Sequence, residues 1–239
     1  MNTVISQPML FPWIGMLEQV RLAQCYVHYS DVQFSKGSFV NRVQIKCAGG
    51  IKWLTVPIHA KLSVRIDEAA IDDTQNWRKA HIDKLSDAYA NAPFFKEMIS
   101  VVHGVYDRDY DNIGRLSEAS LMAICNYYGL DQARSFLRSS DLAIIGSSSH
   151  RVLNIVLKLG SDCYITGPGA KNYLNHELFE QAGVRVEYMD YQTTPYRQQH
   201  GNFTPYVSSL DLIANCGLEG RRYICSGSIH WKEFINATS

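Results

Sequence analysis

Apolar residues recur along this chain in two rhythms, short runs with strand character and longer stretches at helical spacing. Thr3-Val4-Ile5 opens as a β-prone run. Gln7-Pro8 and Phe11-Pro12-Trp13-Ile14-Gly15 follow as a loop punctuated by proline and glycine. Met16, Leu17, Val20 and Ala23 then fall near helical spacing across 16–24, and Cys25 to Tyr29 reads as a second strand ending at Ser30-Asp31. A strand–loop–helix–strand start favours a parallel sheet, and ligands of such sheets sit beyond the carboxyl ends of the strands. The Gln7–Gly15 loop and Asp31 therefore fall on the expected ligand rim.

The pattern changes over 39–58, where Val40, Arg42-Val43-Gln44-Ile45 and Trp53-Leu54-Thr55-Val56 flank Ala48-Gly49-Gly50, the signature of a β-hairpin. A helical stretch follows. Trp77, His81, Leu85 and Ala88 share one face over 75–91, Pro93 starts an element over 93–103, and Leu116, Ala119, Ser120, Ala123, Ile124 and Tyr127 share a face over 112–128, with Gly129 placed to end it. The last third alternates again. It has a short strand at 134–138, a helix over 149–159 capped by the serines at 147–149 and a strand at 162–166. A tight Gly167-Pro168-Gly169 loop leads into a helix reaching Ala182, and a strand at 184–188 is followed by a polar and aromatic loop over 192–206 and a helix over 207–216. The expected fold is α/β: a mostly parallel sheet flanked by helices, in one domain over 1–239, with the hairpin near 39–58 and a helical insertion near 75–140.

Composition narrows the function classes. Lys+Arg and Asp+Glu are 23 each, so the formal charge is zero, against the basic excess expected of a nucleic-acid coat. No apolar run approaches the roughly 18 residues of a membrane span. The start has no basic region followed by an apolar one, so a cytoplasmic protein is expected. The six cysteines include no C-x-x-C pair and the eight histidines do not cluster, so neither a zinc site nor a cofactor is expected.

Several residues have the chemistry for a site. Gly167, Gly169 and Lys171 stand between a strand and a helix, where backbone N–H groups and a lysine bind anions, but neither the P-loop nor the dinucleotide spacing is met. Asp31, with Gln33 two residues on, is placed for general-base work or for an ion pair with Lys36 or Arg42. His81 reads either as a core histidine or as a general base facing a cleft. Asn41 and Arg42 lie in the hairpin, and Arg42 has the fork that grips phosphate or carboxylate. Ser208, Asp211 and Asn215 make a polar stripe on the 207–216 helix, with Gln198, His200 and Phe203 just before it.

The ordered set Ser6-Gln7-Pro8, Phe11-Pro12-Trp13-Ile14-Gly15, Asp31-Val32-Gln33-Phe34, Asn41-Arg42, Trp53-Leu54-Thr55-Val56-Pro57, Trp77-Arg78-Lys79-Ala80-His81, Gly167 to Leu174 and Ser208 to Asp211 resembles the WbqC-like family of bacterial proteins. The likeness runs from about residue 4 to 217. Such proteins are associated with O-antigen and other surface-polysaccharide gene clusters. The resemblance implies transfer of a glycyl or other acyl group to an amino sugar or nucleotide sugar, with an acyl carrier protein as a possible donor. It implies His81 or Asp31 as the base. It places Gln7, Trp13, Gln33, Asn41, Arg42, Gly167, Gly169, Lys171, Tyr173, Gln198, Ser208 and Asp211 among the binding residues. This chain has Ser30-Asp31 where the family often has two acids. Two alternatives stand beside this reading. One is a nucleotidyl- or adenylyl-transferase, although Pro12-Trp13-Ile14-Gly15 replaces the H-x-G-H signature. The other is a non-catalytic binding subunit of a polysaccharide pathway.

The zero net charge hides an uneven distribution. No acid occurs between Val32 and Ile66, while Lys36, Arg42, Lys46, Lys52, Lys61 and Arg65 do. The expectation is a basic hairpin that docks a phosphate-bearing donor or an acidic carrier.

Overall fold

Strict alternation in the first strands is what layers the molecule. The computed structural model describes residues 1–59 and 63–237. In β1 (Asn2–Ser6), Val4 points to one hydrophobic cluster and Ile5 to another; in β2 (Cys25–His28), Tyr26 joins the first while Cys25 and Val27 join the second. Both faces of the sheet are therefore covered by helices, as a parallel sheet requires.

Between β1 and β2 runs α1 (Ile14–Leu22). After β2 come the hairpin β3 (Arg42–Cys47) and β4 (Gly50–Thr55), the short pair β5 (Ile58–His59) and β6 (Ala70–Ile71), and the helices α2 (Trp77–Tyr89), α3 (Phe95–Tyr106) and α4 (Ile113–Tyr128). Gly129 ends α4 with φ +64, the left-handed turn that glycine adopts without penalty. The chain returns through β7 (Ser135–Arg138), α5 (Ser148–Lys158), β8 (Cys163–Thr166), α6 (His176–Gln181), β9 (Arg185–Asp190), α7 (Ser209–Cys216), β10 (Gly227–His230) and α8 (Trp231–Ala237).

The main sheet has the order β10-β9-β8-β1-β2-β7, parallel throughout except for β10. Helices α1 to α4 and α7 contribute to the first cluster, and α5, α6 and α8 to the second. The covering helices thus change faces between β1 and β8. That is a topological switch point, where the loops leaving two neighbouring strands diverge and open a crevice at their carboxyl ends.

The expected α/β fold with its mostly parallel sheet is present, and two local expectations are corrected. The segment after Gly167 is not one helix. A 3-10 turn covers Pro168–Asn172, and α6 starts anew because the Asn175 side chain accepts a hydrogen bond from Leu178 N at 3.2 Å. Ser147 precedes α5 without a side-chain cap, and Ser149 Oγ instead accepts from Asn175 N at 3.0 Å. Among the described residues no helix is long and apolar enough to cross a membrane.

Candidate functional site

The loop after β1 is the most tightly built part of the rim. Phe11 holds φ +35, a left-handed backbone that costs a bulky residue about 1–3 kcal/mol. Three serines fix it there. Ser120 Oγ accepts from Phe11 N at 2.8 Å, Ser208 Oγ donates to Phe11 O at 2.7 Å, and Ser209 Oγ donates to Pro12 O at 2.5 Å. This strain places Trp13 at the head of α1, half-buried, with its indole edge-on to Tyr191 at 5.0 Å and tilted against Tyr206 at 5.7 Å. Tyr206 is 59% exposed, so the aromatic cluster opens to solvent. Burial, then the nearby Glu18 charge and Tyr206, push the Tyr191 phenol up to about 12, so it stays protonated.

Across the switch point lies Gly167, at the end of β8. A side chain there would have its Cβ 3.0 Å from Gln19 Nε2 of α1, so the glycine brings the Gln19 amide against the loop. Exposed Gln7 leaves β1 on the same rim. The switch-point rim therefore carries the aromatic rings of Trp13, Tyr191 and Tyr206 and the neutral amides of Gln7 and Gln19. Gly15 is part of it: an added Cβ would stand 2.2 Å from the Trp13 ring. Gly15→Ala should cost about 1–3 kcal/mol by overpacking and shift the tryptophan fluorescence, measured with the single change against wild type. An unshifted spectrum would place Trp13 elsewhere.

Next along the rim, Asp31 is held by Arg151 of α5 and by Ser139, one group on each carboxylate oxygen. Burial raises the Asp31 pKa, but the bonds from Arg151 and Ser139 outweigh it and the net shift is down. The Arg151 guanidinium also lies 5.0 Å over the Tyr29 ring and donates to Ile144 O at 3.0 Å. Asp31 is thus a clamp between β2 and α5, and its partner is neither Lys36 nor Arg42.

His81 is buried and hydrogen-bonded, yet it also lines a recess of about 380 Å³ with Trp53, Gln75 and Lys84. Its Nδ1 is 2.9 Å from Tyr106 Oη and its Nε2 is 3.2 Å from Thr55 O, and the residue is 3% exposed. Burial pushes its pKa down to about 4 against a small upward pull from the Thr55 carbonyl. Asn41 is also internal, donating to Val56 O at 3.0 Å, and Arg42 stacks 4.1 Å over Trp53. Gln33 is exposed and bridges to Arg65.

Of the polar stripe of α7, Ser208 and Asp211 are fully buried, while Asn215 is half-buried and donates to Asp211 O at 2.8 Å. Ser208 caps the helix and anchors the Phe11 loop, while Asp211 accepts from Tyr196 Oη at 2.8 Å. Burial pushes Asp211 up, opposed by Tyr196, Tyr89, Gln198 and the charge of Lys46. Gln198 extends the network to Tyr196 and to Lys46 Nζ, each at 3.1 Å. Lys46 is 5% exposed and donates also to the carbonyls of Gly201 and Asn202.

That burial corrects the basic hairpin. Lys46 points inward, Arg42 covers an aromatic ring, and Arg65 pairs with Asp67 and Glu68. Lys61 lies outside the described residues, which leaves Lys36, Lys52 and the ion-paired Arg65 as the exposed cations among the described residues of the stretch. The Gly167 loop is also no phosphate cradle by helix dipole, because a single 3-10 turn follows it. Gly169 has open space around it, Lys171 is half-buried and Tyr173 is 67% exposed.

The rim therefore gathers Gln7, Trp13, Asp31, Gly167, Gly169, Lys171 and Tyr173, while Asn41, Arg42, Gln198, Ser208 and Asp211 build the body behind it and His81 lines a separate recess. Gln19, Tyr191, Tyr206 and Arg151 escaped the sequence reading. A glutamine in the middle of a helix that flanks Pro-Trp-Ile-Gly was the one available signal for them.

A sequence model described as the WbqC-like protein family matches residues 7–223. The uncharacterized protein Rv1507c of Mycobacterium tuberculosis is 31% identical over 227 residues, covering 93% of this chain and 97% of that protein. No solved structure matches.

Proposed function

Since this chain belongs to the WbqC-like protein family, we propose that it transfers an acyl or aminoacyl group to the amine of an amino sugar in surface-polysaccharide synthesis. The observation that carries this reading is the aromatic cluster beside the switch point, built on a strained and triply anchored loop. Trp13, Tyr191 and Tyr206 offer apolar faces and phenolic hydroxyls, which suit a pyranose with one C–H face and a polar rim. Side-chain amides at Gln7 and Gln19 are donors of the kind that stabilise the oxyanion of an acyl-transfer intermediate. Asp31 acts in this reading by holding Arg151, and Lys171 and Tyr173 extend the surface toward a nucleotide or carrier-bound donor. The compartment in this reading is the cytoplasm, where activated sugars and carrier proteins are made.

The test is direct. Wild-type protein, an acyl-carrier-protein thioester and a nucleotide-linked amino sugar should give the N-acylated sugar by mass spectrometry. Failure across aminoacyl and simple acyl donors overturns the reading. A binding subunit without catalysis is the second reading, favoured because His81 and Asp31 are both held by other contacts. It expects nucleotide-sugar binding with no product.

A further inference from the structure

A second recess opens at the carboxyl end of the outer strands β2 and β7, a cleft of about 530 Å³. Its polar groups come from four elements. Glu118 of α4 is 5% exposed and accepts from Arg138 Nε of β7 at 2.7 Å, with Arg115 Nη1 at 3.5 Å. The two guanidiniums keep 41% and 44% of their side-chain surface exposed, so each retains N–H groups toward the cleft. Asp109, Asp111 and Asp141 are exposed at the mouth, and none has an ion-pair partner among the described residues. Four carboxylates thus stand against two guanidiniums.

His28, the last residue of β2, forms the floor. It is 4% exposed and stacks on Phe136, with ring centroids 6.1 Å apart. Its Nδ1 finds no hydrogen-bond partner. Burial, reinforced by the charges of Arg138 and Arg115, holds the imidazole down at about 4 and so neutral at pH 7. A buried polar atom without a partner is rare in a finished interior, and it fits a place where a ligand supplies the missing bond. His28 also pairs in register with Ser6, so this cleft and the switch-point crevice share one rim.

We propose that this cleft is a binding site for a polyhydroxylated primary amine. The ammonium lies among Asp109, Asp111 and Asp141, and the hydroxyls lie against Arg115, Arg138 and the open nitrogen of His28. A net-negative mouth selects the ammonium, since charge-assisted hydrogen bonds are roughly twice as strong as neutral ones. The choice of an amino sugar rests on the acyl-transfer reading, and the cleft would hold the sugar as its ammonium before it moves along the shared rim to the switch point, where the free amine reacts.

The test is binding of D-glucosamine, N-acetyl-D-glucosamine and D-glucose to the full chain, by calorimetry and saturation-transfer NMR at low salt. Glucosamine should bind at least tenfold tighter than the two neutral sugars. The D109N/D111N double variant should erase that preference. His28→Phe keeps the ring stack and removes the unmatched nitrogen. It should leave the melting temperature unchanged or raised and weaken glucosamine at least fivefold. Equal affinities for the three sugars, a preference that survives D109N/D111N, or no loss with His28→Phe would overturn the proposal. Glucosamine bound here without transfer would remove the transfer reading and leave the site. Transfer untouched by D109N/D111N would do the reverse.

Discussion

Arg151→Met should destabilise the protein by about 3–5 kcal/mol, the cost of leaving one partner of a buried ion pair uncompensated. Only 9% of the Arg151 side chain and 11% of the Asp31 side chain are exposed, so water cannot replace the lost guanidinium. The expected fall in melting temperature is roughly 6–20 °C, at about 2–4 °C per kcal/mol for a chain of this size. The double change Asp31→Leu with Arg151→Met should recover most of that loss, because the isolated charge is then gone. Calorimetry or urea unfolding checks both. A loss under about 1 kcal/mol for Arg151→Met would mean that Asp31 is solvated and free for proton transfer.

The second large effect is a loss of stability in mild acid. His81 and His28 are each lowered from an ordinary 6.5 to about 4 in the folded protein. The unfolded chain therefore takes up these protons first, as pH falls through 6.5, and the folded chain only near pH 4. Between those values protonation favours the unfolded state, and the stability present above 6.5 is lost as pH drops. Each histidine accounts for about 3 kcal/mol of that loss, at about 1.4 kcal/mol per pH unit. His81→Phe isolates one of them. It should be less stable than wild type at pH 8, since Tyr106 loses its partner, and the gap should narrow by about 3 kcal/mol by pH 4. A gap constant across that range, in urea titrations, would mean that His81 titrates in the folded protein as it does in the unfolded chain.

Local pattern carried the layers of this fold, because the features that make them are local. Val4 against Ile5 and Tyr26 against Val27 alternate within single strands, and Gly129 marks its helix end by a conformation only glycine adopts cheaply. The break before α6 was also written locally, in Asn175 with Glu177 two residues on, but the apolar spacing across 168–182 masked it. The site was harder to read because its geometry depends on distant segments. Lys46 looks like an ordinary strand cation until the loop at 198–202 folds over it from more than 150 positions away. Ser208 looks like one residue of a solvent stripe until it donates to Phe11 O, 197 positions earlier. Asp31 was legible as a rim residue from its place after β2. Its partner was not, because Arg151 arrives from a helix two crossovers later. Motif residues with polar side chains thus divide into those that touch the crevice and those that fix the loop beside it, and only long-range contacts separate the two.

One comparison bears most directly on the crevice as the seat of the chemistry: the rate of N-acylated amino sugar formation by wild type and by Trp13→Ala under identical donor and acceptor concentrations. The expected result is product with wild type and at least a tenfold lower kcat/KM with Trp13→Ala, with folding confirmed by circular dichroism. Equal rates from the two proteins would contradict it.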